Sequence, residues 1–398
     1  MKKSPETMGS YGRQIDNEGA KVMKKCIVIP DSFKGTLSAF EICEIEKKAI
    51  QALMPGCEVA AVPVADGGEG TVDCFLYALQ DCRKVVVDTT GPYGEPQKAY
   101  YARLGDTAII EMAMCAGLPQ VEGRQNPAKT TTYGVGTVMK KAVEAGCKKL
   151  VVGLGGSCTT DCGAGMGAAL GVKFRDEAGE AFVPTGETLG KVKTIDLSEA
   201  RALLDGVEVT AMCDVENPMY GPKGAAHVFG PQKGADKKMV LQLDEQVRQM
   251  ADTIRSQLGM DLAGVPGSGA AGAMGAGIMA FAGGKLQSGI STVLDLIGFE
   301  KMLEGTDMVF TGEGRIDSQS LDGKVISGIA QRAKKQDVPV VCVVGSVGDG
   351  IEGAYDMGVT AIFSINQKAE AFETARHKSA QNLKATMENI LRLVNACR

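Results

Sequence analysis

Lys25-Cys26-Ile27-Val28-Ile29-Pro30-Asp31-Ser32-Phe33-Lys34-Gly35-Thr36 is the stretch on which the fold turns. A short apolar run ends at a proline and an aspartate, and a polar loop follows. Ser38 then stands three residues before Glu41, the spacing at which each side chain satisfies the other's backbone at a helix start. Beyond it Ile42, Ile45, Ala49 and Leu53 recur at helical spacing. The reading is strand, loop, helix, with the polar loop at the strand's carboxyl end.

The unit repeats outward from there. Residues 59–64 read as a strand, 65–70 as a loop, and Val72, Phe75, Leu76 and Leu79 as one helix face. At the far end, 307–310 read as a strand, 311–322 as a loop and 323–335 as a helix, with further strands at 338–344 and 359–365. Short strands alternating with helices imply a parallel sheet. The simplest grouping makes one α/β domain from both chain ends, residues 24–87 and 287–398, with a second α/β domain, 88–286, inserted between them. In that middle, Val85-Val86-Val87 and Ala108-Ile109-Ile110 flank a hairpin turn at Gly91-Pro92-Tyr93-Gly94. A helix near 131–145 leads to a strand at 150–152 and a polar loop at 153–161, with a glycine- and alanine-rich helix after it. Residues 207–234 are strand-like and then rich in Pro and Gly, and 239–258 form a charged amphipathic helix. Residues 1–23 are polar and read as a disordered extension.

Composition narrows the function classes. A chain of 398 residues suggests two or three domains, and 44% hydrophobic with 23% charged residues is ordinary for a folded protein. A net charge of -5 argues against nucleic acid or an anionic membrane as the main partner, because both require a basic face. No apolar run approaches the ~20 residues of a membrane helix. Twelve cysteines without a Cys-x-x-Cys pair, and no secretory signal, fit small buried side chains in a reducing cytoplasm. The 52 glycines are roughly twice the usual share of about 7%. They gather in short runs between apolar segments, where a backbone turns tightly or lets a ligand approach.

There is no Walker A pattern, and the Gly-x-Gly-x-x-Gly at Gly267, Gly269 and Gly272 does not follow a strand, so neither phosphate fingerprint has its context. Four loops carry usable chemistry instead. The first holds Asp31, Ser32 and Lys34. The second is Asp66-Gly67-Gly68-Glu69-Gly70-Thr71, whose backbone N–H groups at a helix start suit an anion, with Thr71 placed to cap. The third, Gly155-Gly156-Ser157-Cys158-Thr159-Thr160-Asp161, has the same design. The fourth is Gly312-Glu313-Gly314-Arg315-Ile316-Asp317-Ser318-Gln319. Any one of these acids alone would as readily cap a helix or face water. With only His227 and His377 in the chain, a general base is expected to be a carboxylate.

These loops, together with Thr131-Thr132-Tyr133-Gly134, Asp214-Val215, Asn217-Pro218 and Phe229-Gly230-Pro231-Gln232-Lys233-Gly234-Ala235, stand in an order that resembles the bacterial glycerate kinase family. The resemblance runs from about residue 24 to the last strands. It implies a flavodoxin-like domain made of both chain ends, an inserted second domain, and an active site in the cleft between them. It also implies ATP with Mg²⁺ and transfer of the γ-phosphoryl group to D-glycerate, giving ADP and phosphoglycerate, with the 2-phospho isomer favoured. Departures from the family pattern are Cys158, Thr160 and Cys162 in the third loop and Ile326 after Gly323-Lys324.

On this reading the nucleotide phosphates lie against Gly67, Gly68, Gly70, Thr71, Gly155, Gly156 and Ser157. Lys34 neutralises phosphate charge. Asp66 or Asp161 holds the metal or acts as base, with Asp214 a further metal ligand and Asp317 a further catalytic candidate. Arg315 grips the glycerate carboxylate, and Ser318 and Gln319 read its hydroxyls. A hydroxy-acid oxidoreductase and a non-catalytic sugar-acid-binding regulator are the alternatives.

Overall fold

The computed structural model describes residues 23–65, 67–321 and 324–397, with the side chains of Gln319 and Leu321 outside that description. The expected N-terminal extension lies outside it too, except at Met23, which is fully buried against the first helix and its neighbours.

The opening unit forms as its sequence dictates. The helix Ala39–Leu53 begins with a reciprocal cap, Glu41 N donating to Ser38 Oγ at 3.3 Å and Ser38 N to Glu41 Oε2 at 2.8 Å. It buries Ile42, Cys43 and Ile50. The strand before it, Lys25–Val28, lies between the middle strand and one edge of a five-stranded sheet ordered Val359–Ser364, Val340–Val344, Met308–Thr311, Lys25–Val28, Glu58–Ala61, parallel throughout. Such a sheet is covered on both faces, which is why Val340–Val344 is an unbroken apolar run and wholly buried. The expected strand at 59–64 ends at Ala61, although Val62 and Val64 still donate to Val28 and Pro30 carbonyls.

A second sheet has the order Lys285–Gln287, Glu208–Met212, Lys149–Gly153, Thr107–Glu111, Pro96–Leu104, Arg83–Thr90. Its first four strands are parallel, and the last two run antiparallel through the hairpin at Gly91–Gly94 that the sequence signals. The expected boundary between residues 87 and 88 cuts the strand Arg83–Thr90, which pairs with Pro96–Leu104 along its whole length. Three apolar valines at 85–87 mark a strand without saying which sheet it joins.

The two sheets share a core. Ile27, Ile29 and Val64 from one side pack in a single cluster with Ala102, Ile109, Val151 and Met212 from the other. The carboxyl ends of the parallel strands meet there. Gly155 N donates to Gly67 O at 2.9 Å, and a Cβ on Gly153 would lie 2.4 Å from that same oxygen. Only glycine permits two loops to approach this closely. The Gly-x-Gly-x-x-Gly glycines also serve packing. A Cβ on Gly269 would strike the Pro218 carbonyl at 2.0 Å, and one on Gly272 the Thr159 carbonyl at 2.0 Å.

Candidate active site

On the first sheet, the loops after Lys25–Val28, Met308–Thr311 and Val340–Val344 are neighbours because their strands are. Asp31 N donates to Gly312 O at 2.8 Å, and Ser346 N to Gly314 O at 3.1 Å. They enclose a cavity of about 480 Å³ lined by Asp31, Ser32, Lys34, Glu313, Arg315, Asp317, Ser320 and Lys324. The first and fourth loops of the sequence reading are therefore one site. Arg315 is mostly exposed, and its Nε lies 3.3 Å from Asp317 Oδ2. Ser318 is exposed beside it, its N–H donating to Asp349 O at 3.2 Å. Glu313 Oε1 is buried and accepts no hydrogen bond. Burial pushes the Glu313 carboxyl above the usual range, the Ser320 hydroxyl pulls it back, and the charge of Asp31 adds to the rise.

The second loop reaches the other sheet. Asp66 and the Gln319 side chain fall outside the described residues. The helix Thr71–Ala78 starts from Gly70, whose φ of 87° is left-handed and which has no side chain to cap with. Thr71 does not cap it as expected, because its hydroxyl donates to Gly68 O at 2.7 Å. Glu111, the last residue of a neighbouring strand, does so instead. Its Oε2 accepts from Gly70 N at 3.1 Å and Val72 N at 3.4 Å. Burial raises the Glu111 carboxyl to about 7. The helix start offered to phosphate is thus met by the protein's own carboxylate.

The third loop repeats this arrangement. The helix Ala164–Leu170 starts at Gly163, φ 67°. Asp161 is fully buried, and its Oδ2 accepts from Thr132 N at 2.7 Å, Thr132 Oγ1 at 2.8 Å and Gly165 N at 3.3 Å, while Oδ1 accepts from Gly163 N at 3.1 Å. Burial raises its carboxyl against four hydrogen bonds that lower it. Both oxygens face donors in the interior, so Asp161 holds the turn and has no open oxygen for a metal. Thr160, the departure from the family pattern, is also fully buried, its hydroxyl without a partner.

The open part of this loop lies before Asp161. Gly155, Gly156, Ser157, Asp214 and Lys233 line a cavity of about 220 Å³. Asp214 is exposed at the end of Glu208–Met212, and its Oδ1 accepts from Gly289 N at 2.9 Å. Lys233 is only 2% exposed. Its Nζ donates to Ser157 Oγ at 2.7 Å and Thr159 O at 2.6 Å. Burial lowers its ammonium to about 8, against the pull of Cys158 and Asp161. His227 lines neither cavity and stands 3.8 Å from Asp244.

The reading of the residues gave no role to Lys233 and Glu111, although both carried signals. Glu111 is an acid closing an apolar strand at its carboxyl end. Lys233 follows a tight Phe-Gly-Pro-Gln run. Among the described residues no three His, Cys, Asp or Glu side chains form a metal-holding group, and no helix is long and apolar enough to cross a membrane.

Comparison with known proteins gives a consistent picture. The family model described as glycerate kinase family matches residues 26–395. A glycerate kinase of Bacillus cereus is 41% identical over 369 residues, covering 92% of this chain and 97% of that protein. The glycerate 2-kinase of Escherichia coli K12 is 39% identical over 369 residues, covering 92% and 97%. The crystal structure of a protein assigned as glycerate kinase 2 from Salmonella typhimurium LT2 superposes with a TM-score of 0.82 at 38% identity, over 94% of this chain and 99% of that one.

Proposed function

The chain belongs to the glycerate kinase family, and from that premise we propose that it transfers the γ-phosphoryl group of ATP to D-glycerate in the cleft where the two sheets' carboxyl edges meet. The observation that carries the proposal is the larger cavity. It gathers three cations, Lys34, Arg315 and Lys324, around a buried carboxylate with an unpartnered oxygen, Glu313. Phosphoryl transfer requires this set of groups: positive charge for substrate and transferring group, and a base for the attacking hydroxyl.

In the proposed reaction the guanidinium of Arg315, steadied by Asp317, grips the glycerate carboxylate through two parallel hydrogen bonds. Ser318 and Gln319 read the hydroxyls. Glu313 takes the proton from the attacking hydroxyl as its oxygen bonds to the γ-phosphorus and the bond to the bridging oxygen of ADP breaks. Burial raises its carboxyl, which makes it a stronger base than an ordinary carboxylate. Lys34 meets the charge on the phosphoryl oxygens. This moves the base from Asp66 or Asp161 to Glu313 and leaves Asp161 as a positioning residue.

Mg²⁺ belongs to the proposal as well. Magnesium commonly takes one or two carboxylates together with substrate phosphates, so the lack of a three-acid cluster among the described residues is compatible with it. Asp214, exposed on the smaller cavity, fits that role together with Asp66. The ion would neutralise phosphate charge. A cytoplasmic location completes the reading, supported by twelve free cysteines of which nine are buried.

Phosphorus NMR of a reaction with ATP, Mg²⁺ and D-glycerate tests the proposal. The 2-phosphoglycerate resonance is expected, in keeping with the name of the Escherichia coli relative. The 3-phospho isomer alone would overturn the regiochemistry, and neither isomer would overturn the function.

A further inference from the structure

Lys233 is a charged side chain where charge is costly. Burying an ammonium is unfavourable by several kcal/mol unless an opposite charge accompanies it. Lysines in folded proteins meet this cost with a carboxylate or by keeping the tip in water. Lys233 does neither. It is 2% exposed, and it forms no ion pair with any described carboxylate. Its two acceptors, Ser157 Oγ and Thr159 O, are neutral and leave one of its three donor positions over. Among the described residues, the interior acid whose charge acts on it, Asp161, already accepts four hydrogen bonds from backbone and Thr132.

The surroundings point to what the lysine awaits. It shares its cavity with Gly155 and Gly156. Gly156 has φ 74°, and an added Cβ there would meet little, only Ala113 at 3.5 Å. A glycine with open space beside a buried cation lets a bulky polyanion approach the backbone. The helix starts at Gly70 and Gly163 are closed to an anion by Glu111 and Asp161, which leaves Lys233 as the buried positive group on this edge. The arginine proposed to grip the carboxylate, Arg315, lines the other cavity.

We propose that Lys233 is the anchor for the nucleotide's phosphate groups, reached through the cavity formed by Gly155, Gly156 and Ser157, with Ser157 and the Thr159 carbonyl holding the ammonium in place. This deepens the kinase reading and rests on it, by assigning the nucleotide to the second sheet's edge and glycerate to the first. A phosphate bound here supplies the counter-charge that the fold withholds.

The test reads binding without turnover. The full chain is titrated calorimetrically in EDTA with ADP, pyrophosphate, 2-phosphoglycerate and glycerate, as wild type and as Lys233→Met, which keeps length and removes charge. The variant is expected to bind ADP and pyrophosphate at least ~10-fold more weakly, the scale of one charge-assisted contact, and glycerate unchanged. Unchanged ADP and pyrophosphate affinity in a folded variant, or a loss confined to glycerate and 2-phosphoglycerate, overturns the proposal. Should the variant not fold, hydrogen exchange on the wild type decides. Pyrophosphate is expected to protect residues 153–160 and 229–235, and protection only elsewhere overturns the assignment. A chain that bound pyrophosphate through Lys233 yet phosphorylated no glycerate would sink the substrate reading and leave this one standing.

Discussion

Asp161 accepts four hydrogen bonds in a site closed to water, from two glycine N–H groups and from Thr132. Asparagine would turn an amide N–H₂ toward at least one of those donors. Asp161→Asn should therefore lose about 2 kcal/mol or more of stability, read as an earlier urea midpoint, since a buried donor left unpaired costs that much. An unchanged midpoint would show that the carboxylate does not hold the turn. Glu313→Gln preserves shape and removes the base, so turnover should fall at least ~10²-fold with melting unaffected. Near-normal turnover would rule Glu313 out as the base and point to the other acids of that cavity, Asp31 and Asp317. Arg315→Lys should raise the glycerate KM at least ~10-fold and leave the ATP KM nearly unchanged, because lysine cannot copy the planar fork. If the ATP KM moves instead, Arg315 contacts phosphate. If only melting moves, its ion pair with Asp317 is all it does. At this scale the sequence revealed which residue types cluster. It did not reveal which acids face inward, because Asp161 and Glu313 sit in similar glycine-rich loops and differ only in what packs over them.

At the scale of elements, starts set by local spacing were legible and starts set by distant partners were not. The Ser38–Glu41 cap can be read from four residues, and it forms. The helix Thr71–Ala78 is capped by Glu111, 41 residues away along the chain, and no local pattern announces that. The helix Ala39–Leu53 also carries an acid that its amphipathic pattern does not predict. Glu46 is fully buried with neither carboxylate oxygen hydrogen-bonded, and burial raises it to about 8. Because the folded-state value lies above the unfolded one, this group lowers stability progressively as pH rises from about 4.5 through about 8. Glu46→Gln should thus gain on the wild type between pH 6 and pH 8, by about 1 kcal/mol or more. Parallel stability curves at the two pH values would mean that Glu46 is paired or hydrated in solution.

At the scale of the molecule, the alternation of short strands and helices was enough to predict parallel sheets, and the return of the chain's end to its beginning is realised in the register. Cys26 pairs with Met308 on one side and Val59 on the other. The seam was harder to place. A boundary drawn at 87/88 splits a strand, because apolar alternation looks the same in either sheet. The carboxyl edges of the two sheets carry the four loops, the first joined to the fourth by Asp31 N and Gly312 O, and the third to the second by Gly155 N and Gly67 O. On the proposed function, these loops recognise a hydroxy acid and phosphorylate it. The most direct measurement is the rate of ADP release from ATP and Mg²⁺ by the purified chain with D-glycerate, compared with glycerol, which keeps the hydroxyls and lacks the carboxylate. Saturable ADP release is expected with D-glycerate and little with glycerol. Equal rates with both, or no release above background, would contradict it.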